Sequence, residues 1–208
     1  ILPDILTYAK SFGGGKASIS GYTSREYIFR KAYDNMNDVT LHSTTYNGFG
    51  EETVTAIEAV NIIVEEDYPG KSRHIYEYLN PRLNELRIRH PGLIREVRGS
   101  GALNGIILDD NLASPLNSLI KLIPGDMFKD PRFKAKLITG AVIAQMYEEH
   151  GILMFFGSNR EIVLIISPSL IAADKQLDYF IESLDKTLAL GKYKLLRKFV
   201  QKYLASRL

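Results

Sequence analysis

The chain is organised around its opening stretch, Pro3-Asp4-Ile5-Leu6-Thr7-Tyr8-Ala9-Lys10-Ser11-Phe12-Gly13-Gly14-Gly15. Its apolar residues predict the end of a buried strand. The three glycines allow positive φ angles and a close approach of a ligand to the backbone. Lys10 lies between these two features, so we expect its ammonium at the rim of a core. Partial loss of water there favours the neutral amine, which is a nucleophile toward a carbonyl carbon.

The spacing alone leaves a second interpretation open, in which Lys10 ends a strand and points into water before a glycine turn. A phosphate-binding loop at Gly13-Gly14-Gly15-Lys16 is excluded. A Walker-type loop requires glycine where Lys10 stands and Ser or Thr where Ala17 stands.

The same stretch resembles the cofactor-lysine signature of class III aminotransferases, which are fold-type I enzymes that use pyridoxal 5'-phosphate. The matching residues are Asp4-Ile5-Leu6, Ala9-Lys10 and Gly14-Gly15. The resemblance implies that Lys10 forms the imine with the cofactor. It also implies amino-group transfer between an amine or amino acid and an aldehyde or ketone. The alternatives are an aminomutase or decarboxylase on the same scaffold, and a dimerisation or interaction module without catalysis.

A polar loop from Leu41 to Gly50 precedes a long helical pattern. Unpaired N–H groups and the helix dipole make such a loop a natural anion site. The loop resembles the family's second hallmark, which implies that Thr45 contacts the cofactor phosphate across the interface of a homodimer. His42 receives no catalytic role. Phe49-Gly50 replaces an Asn-Pro pair that is common in the family, so we expect a different entry to the next helix.

The domain organisation follows from a break near Pro69. Apolar periodicity predicts a largely buried helix over residues 51–66 and a second helix over residues 71–90. The predicted fold class is α/β. The resemblance assigns residues 1–69 to the C-terminal portion of the cofactor-binding large domain. It assigns residues 70–208 to a small α+β domain that ends in a basic helical tail.

The second half of the chain carries a strand signal around Arg98, which we interpret as a structural residue. Residues 109–132 contain an irregular segment that is either a specificity insert or an ordinary packed excursion. A helix is predicted over residues 133–150, with Gly151 closing it. Residues 152–156 and 161–166 predict two buried strands.

One substitution relative to the family pattern concerns the substrate. Many class III enzymes carry an arginine at the place of Ile165, where a guanidinium holds a substrate carboxylate. Isoleucine has no such group, and Arg160 is expected on the opposite side of a regular strand. The resemblance therefore implies a substrate with an amine, aldehyde or ketone on an apolar chain.

Residues Lys192 to Arg207 carry six basic and no acidic residues, interleaved with apolar ones. This pattern is typical of a basic amphipathic helix that binds an acidic partner or an anionic surface. The competing interpretation is a solvated helix packed on its own domain.

Composition sets the remaining limits. The chain has 208 residues, 45% apolar content, a net charge of +2 and no cysteine. These values predict a globular cytoplasmic protein with small-molecule substrates, no nucleic-acid partner, no membrane span and no thiolate metal site. No secretory leader is visible. The chain begins inside a strand-like segment, so we expect an upstream half of the same enzyme, without which this part is a poor catalyst.

Overall fold

The computed structural model describes residues 2–45, 47–112 and 130–205, except for the side chains of Tyr203 and Leu204. The irregular segment predicted over residues 109–132 lies mostly outside the described residues. The chain divides into two compact units, Ile1–Tyr68 and Pro69–Leu208. Each unit is described by itself.

The first unit contains a two-stranded ribbon, a short 3₁₀ helix and two α-helices. Their bounds are β1 Ile5–Tyr8, the 3₁₀ helix Lys10–Gly13, β2 Gly21–Ser24, α1 Glu26–Tyr33 and α2 Gly50–Glu65. The strands are antiparallel, with Tyr8 opposite Gly21. A Cβ atom at Gly21 would lie 2.6 Å from Cε2 of Tyr8, so any other residue there would displace the Tyr8 ring.

The apolar surface of the first unit is far more exposed than the sequence predicts. Ile5 and Leu6 are each 53% exposed, and Val64 on α2 is 71% exposed. Of the α2 residues, Ala56 is the buried one. The predictions of a buried strand and a largely buried helix are therefore wrong for this chain by itself. The physical reason is that β1 pairs only with β2 among the described strands, so too little of the unit is available to cover these faces.

The second unit is built on a four-stranded antiparallel sheet with helices packed on it. Its elements are α3 Tyr68–Arg89, β3 Ile94–Ser100, β4 Leu103–Leu108, α4 Phe133–His150, β5 Phe155–Gly157, β6 Val163–Ile166, α5 Asp174–Leu188 and α6 Gly191–Ala205. The strand order is β3-β4-β6-β5. The predicted helix over residues 133–150 is confirmed, and Gly151 ends it with a φ of +66°. Helix α3 begins earlier than predicted, since Pro69 suits its first turn.

A single hydrophobic core joins the sheet to the helices of the second unit. Strands β4 and β6 contribute Ile106 and Leu164, which are fully buried. Helix α4 packs against β4, α5 and α6, so its side chains are buried around most of its circumference. Helix α3 adds a stripe at helical spacing, formed by Ile75, Leu79, Leu83 and Leu86. Burial of this stripe fixes α3 on the second unit.

Polar contacts hold α3 against α5 along their length. The pairs are His74 with Asp174 at 2.8 Å, the Tyr78 hydroxyl with Asp178 at 2.7 Å, and Arg89 and His90 with Asp185. Burial raises the pKa of Asp185, but the bonds from His90 and Arg89 outweigh it and hold the pKa below its usual value. Asp185 is therefore an ionised partner in the folded protein at neutral pH.

The basic tail forms α6, which packs on its own domain. Its apolar residues Leu195, Leu196 and Val200 belong to the core. Lys192 Nζ lies 3.0 Å from Asp109 and also donates to the backbone oxygen of Asn111. Two further lysines of the helix pair with Glu149 and Glu148 on α4. The interpretation of a packed helix is confirmed, and three of its lysines have acidic partners.

The structural interpretation of Arg98 agrees with its contacts, whereas one strand prediction does not hold. The Arg98 guanidinium donates to Glu161 at 2.8 Å, and Arg95 donates to the same carboxylate at 2.9 Å. The strand predicted as buried over residues 152–156 forms only β5, and Phe155 is 57% exposed. Strand β5 is at the edge of the sheet, so one of its sides is uncovered.

Candidate functional site

Ala9 separates Lys10 from the end of β1. Lys10 is the first residue of the 3₁₀ helix, and its backbone is left-handed. Its φ is +63°, and Gly14 and Gly15 follow at +63° and +71°. A left-handed conformation costs a residue with a Cβ atom roughly 1–2 kcal/mol, whereas glycine adopts it freely. Strained backbone of this kind concentrates at functional positions. The backbone at Lys10 is therefore strained in a way that the backbone at Gly14 and Gly15 is not.

The Lys10 side chain is exposed. It lines an open cavity of about 510 Å³ together with Gly15, Lys16, Ser18 and Ser20. The prediction of a partly desolvated ammonium at the rim of a core is therefore wrong for this chain by itself. The cause is the thin ribbon on which Lys10 stands, because neither face of β1 is covered deeply enough to exclude water.

A second cavity of the first unit, of about 780 Å³, lies beside the same backbone. Ser18 and Ser20 line both cavities, so this segment separates them. The second cavity is also lined by His42, Thr44 and Glu52. Thr45 is exposed and lines neither of the two. Within this chain, the structure does not bring Thr45 to Lys10.

The polar loop before α2 holds itself together. The Thr44 hydroxyl donates to the Asn47 side chain at 2.9 Å, and the Asn47 amide donates to the His42 backbone oxygen at 3.1 Å. The His42 ring lies 5.5 Å from the ring of Tyr22, between centroids. These contacts fix the loop and place the His42 ring beside Tyr22.

The start of α2 differs from the anion site that its loop predicts. Glu51 and Glu52 both occupy the first turn of the helix. Carboxylates there interact favourably with the helix dipole themselves and repel another anion. The Glu52 atom Oε2 is buried and has no hydrogen-bond partner.

Ile165 lies in the second unit, on β6. It pairs with Gly105 on one side and Phe155 on the other. With Phe155, Ile171 and Phe180 it lines a mainly apolar cavity of about 760 Å³, to which Lys175 also contributes. Arg160 lies before β6, which begins at Val163. The alternation of side chains along a strand therefore does not determine which way the Arg160 side chain points, contrary to the prediction.

The described residues contain no group of three or more His, Cys, Asp or Glu side chains arranged to hold a metal ion. None of the described helices is both long enough and apolar enough to cross a membrane.

Comparison of sequences gives related proteins. The family model described as aminotransferase class-III matches residues 1–188. An uncharacterized aminotransferase of Schizosaccharomyces pombe is 30% identical over 106 residues, which cover 51% of this chain and 22% of that protein. The aminotransferase PigE of a Serratia species is 24% identical over 206 residues, covering 88% of this chain and 24% of PigE.

Comparison of structures gives the fold. A transaminase from the marine bacterium Virgibacillus superposes with a TM-score of 0.68 at 19% identity, covering 94% of this chain and 41% of that one. The taurine:2-oxoglutarate aminotransferase of Bifidobacterium kashiwanohense, solved with PLP and glutamate, superposes with a TM-score of 0.70 at 22% identity. The match covers 94% of this chain and 40% of that one. The predicted α/β fold class, that of fold-type I transaminases, is confirmed. The chain thus spans about a quarter of these curated relatives and two fifths of the solved structures, and it belongs to the class-III aminotransferase family.

Proposed function

We propose that this chain is the C-terminal portion of an aminotransferase that depends on pyridoxal 5'-phosphate and transfers an amino group from an amine or amino acid to an aldehyde or ketone. The supporting observation is Lys10. It presents an exposed amine on a left-handed backbone beside Gly14 and Gly15, inside the region that matches the family. Glycine would adopt this left-handed backbone with less strain than lysine does. The presence of lysine at this position is best explained by a chemical role of its amine.

The described residues fit the cofactor in two respects. Its aldehyde requires a primary amine that solvent and ligands can reach, and Lys10 offers one. Its phosphate requires hydrogen-bond donors, and the exposed hydroxyl of Thr45 is one. Glu51 and Glu52 work against a phosphate placed at the start of α2 itself. We therefore assign the phosphate contact to Thr45 rather than to the end of that helix.

The bound cofactor supplies the electron-withdrawing ring system that makes removal of a proton from the substrate carbon possible. Lys10 Nζ would hold the cofactor until the substrate amine displaces it, and the freed neutral amine would then be placed to remove a proton from one carbon and return it to another. The 3₁₀ helix Lys10–Gly13 fixes the backbone from which this amine projects. The turn that follows it at Gly14 and Gly15 has no side chains to obstruct an approaching ligand.

The assembly belongs to the same proposal. We propose a homodimer in which Thr45 reaches the cofactor of the neighbouring subunit. The exposed apolar faces of β1 and α2 support a larger assembly, since exposed apolar surface of this extent is typical of surfaces that other polypeptide covers. The upstream half of the same enzyme is the partner we propose for them. We also propose a cytoplasmic location, and the domain assignment of residues 1–69 and 70–208 stays a prediction.

Replacing Thr45 by alanine in the full-length enzyme is expected to weaken cofactor binding about tenfold to a hundredfold. The reason is the loss of one or two hydrogen bonds to a charged phosphate, each worth about 1.5–3 kcal/mol. Equilibrium titration with the cofactor measures the change. Thr40→Ala, at an exposed threonine of the same region, is the matched control and leaves the affinity unchanged. Equal affinities of the Thr45→Ala and wild-type proteins would refute the assignment.

The substrate we propose carries its reacting group on an apolar chain. Ile165 lines a cavity together with other aliphatic and aromatic side chains. Isoleucine cannot form the two parallel hydrogen bonds by which an arginine guanidinium binds a substrate carboxylate. Lys175 lines the same cavity, so its ammonium has to be tested as a replacement for the missing arginine guanidinium.

The full-length enzyme loaded with cofactor is expected to convert it to pyridoxamine phosphate with an alkyl amine, and more slowly with the analogue that carries an α-carboxylate. Absorbance spectra and product analysis of this half-reaction provide the measurement. Release of carbon dioxide without pyridoxamine phosphate would indicate a decarboxylase instead. If a Lys175→Gln variant still prefers the carboxylate analogue, the argument from Ile165 is wrong.

A further inference from the structure

The turn between β5 and β6 is tied to the start of helix α4 by the side chain of Arg132. One nitrogen of its guanidinium, Nη1, donates hydrogen bonds to the backbone oxygen of Ser158 at 2.6 Å and to that of Asn159 at 2.5 Å. Both turn residues are exposed, whereas Arg132 directly precedes a helix that packs in the core. The contact therefore fixes an exposed turn to a rigid part of the second unit.

Asp130 sets the orientation of this guanidinium. Its carboxylate accepts a hydrogen bond from Arg132 Nε at 3.1 Å and another from Lys136 Nζ at 2.6 Å. The hydrogen bonds from Lys136 and Arg132 hold the pKa of Asp130 well below its usual value. Asp130 is therefore ionised at neutral pH, and its pairing with Nε leaves Nη1 of Arg132 directed at the turn.

A second contact holds the later part of the same turn. The Glu161 carboxylate accepts hydrogen bonds from Arg95 and Arg98, which both lie on β3. The turn is thus anchored to α4 on one side and to β3 on the other.

The position of the turn matters because the strands that it joins line the apolar cavity of the second unit. Phe155 on β5 pairs with Ile165 on β6, and both residues line that cavity. Strand β5 lies at the edge of the sheet, and none of its three residues is buried. The core alone does not hold this wall of the cavity, so its position depends on the anchored turn.

We propose that Arg132 is a positioning residue, which fixes the β5–β6 turn and thereby the cavity wall against which the apolar chain of the substrate packs. This inference rests on the proposed function, because it requires a substrate in that cavity. Arg132 is not among the described residues that line the cavity, so it acts through the two strands. Lysine would keep the charge but has a single nitrogen, whereas arginine uses Nε for Asp130 and Nη1 for the turn.

Steady-state kinetics of Arg132→Lys in the full-length enzyme test the proposal, with hexylamine as the amino donor. KM is expected to rise about tenfold, as for the loss of one hydrogen bond to a charged group, while kcat stays within about threefold. Asp130→Asn leaves Arg132 in place but removes the charge that orients it, so a shift of KM in the same direction is expected. Lys134→Gln, at an exposed lysine of α4, is the matched control and leaves both constants unchanged.

Hydrogen exchange of the protein without cofactor separates this inference from the proposed activity. The backbone amides of β5 and β6 are expected to exchange about tenfold faster in Arg132→Lys than in the wild-type protein, and those of α3 at an unchanged rate. Faster exchange throughout the second unit would show that Arg132 has only a structural role, and it overturns the proposal.

Equal exchange of β5 and β6 in the two proteins overturns the proposal as well, and so does an unchanged KM. A wild-type enzyme that transfers no amino group contradicts the proposed function instead. The exchange rates then still decide whether Arg132 fixes the turn.

Discussion

Replacing Lys10 by glutamine in the full-length enzyme is expected to abolish measurable amino transfer. The amine that would hold the cofactor and carry the proton is lost, and proton transfer by a positioned side chain alone contributes about 10²- to 10⁴-fold to a rate. The fold is expected to be unchanged, because the Lys10 side chain is exposed and contributes nothing to the core. Steady-state kinetics at saturating cofactor measure the loss.

Lys16 supplies the matched control for this experiment. It is also exposed, and it lines the same open cavity as Lys10. Lys16→Gln is expected to retain activity within a few-fold. Borohydride reduction of the loaded wild-type enzyme, followed by peptide mapping, is expected to place the label on Lys10. A label on Lys16, or an active Lys10→Gln enzyme, contradicts the assignment of Lys10.

The largest effect on stability is expected from Leu83→Ala in helix α3. The Leu83 side chain is fully buried in the core of the second unit. Truncating a buried leucine removes apolar contacts and leaves a cavity, which costs about 2–5 kcal/mol. Urea denaturation followed by far-ultraviolet circular dichroism measures the free energy of unfolding. The second unit is expected to unfold at a lower urea concentration than in the unchanged chain.

Ile88 provides a control on the same helix. Its side chain is 76% exposed, so Ile88→Ala is expected to change the free energy of unfolding by no more than about 0.5 kcal/mol. Both changes place alanine in a helix, so differences in helix propensity are small beside the effect of burial. An equally large loss in Ile88→Ala would show that its face of α3 is covered.

Local signals in the sequence predicted the elements that local physics controls. The helix that ends at Gly151 was predictable because its apolar spacing and its glycine terminator lie within the segment itself. The Lys10 segment was recognisable for a similar reason, since its spacing to Gly14 and Gly15 is a matter of a few residues.

Burial was predicted poorly, because it depends on what packs against an element. Helix α2 has the composition of a core helix, and yet Val54 and Val64 are mostly exposed in this chain. The left-handed conformation of Lys10 was also missed, since most lysines avoid it and no local rule requires it.

The conformation of Lys10 places heat tolerance and activity in opposition at one position. Glycine adopts a φ of +63° without strain, so a glycine there would make this turn easier to form. A laboratory selection that rewards heat tolerance alone would therefore favour the loss of the lysine, and one that rewards turnover would restore it. Libraries built to stabilise this protein should keep Lys10 unchanged and seek their gains at other positions.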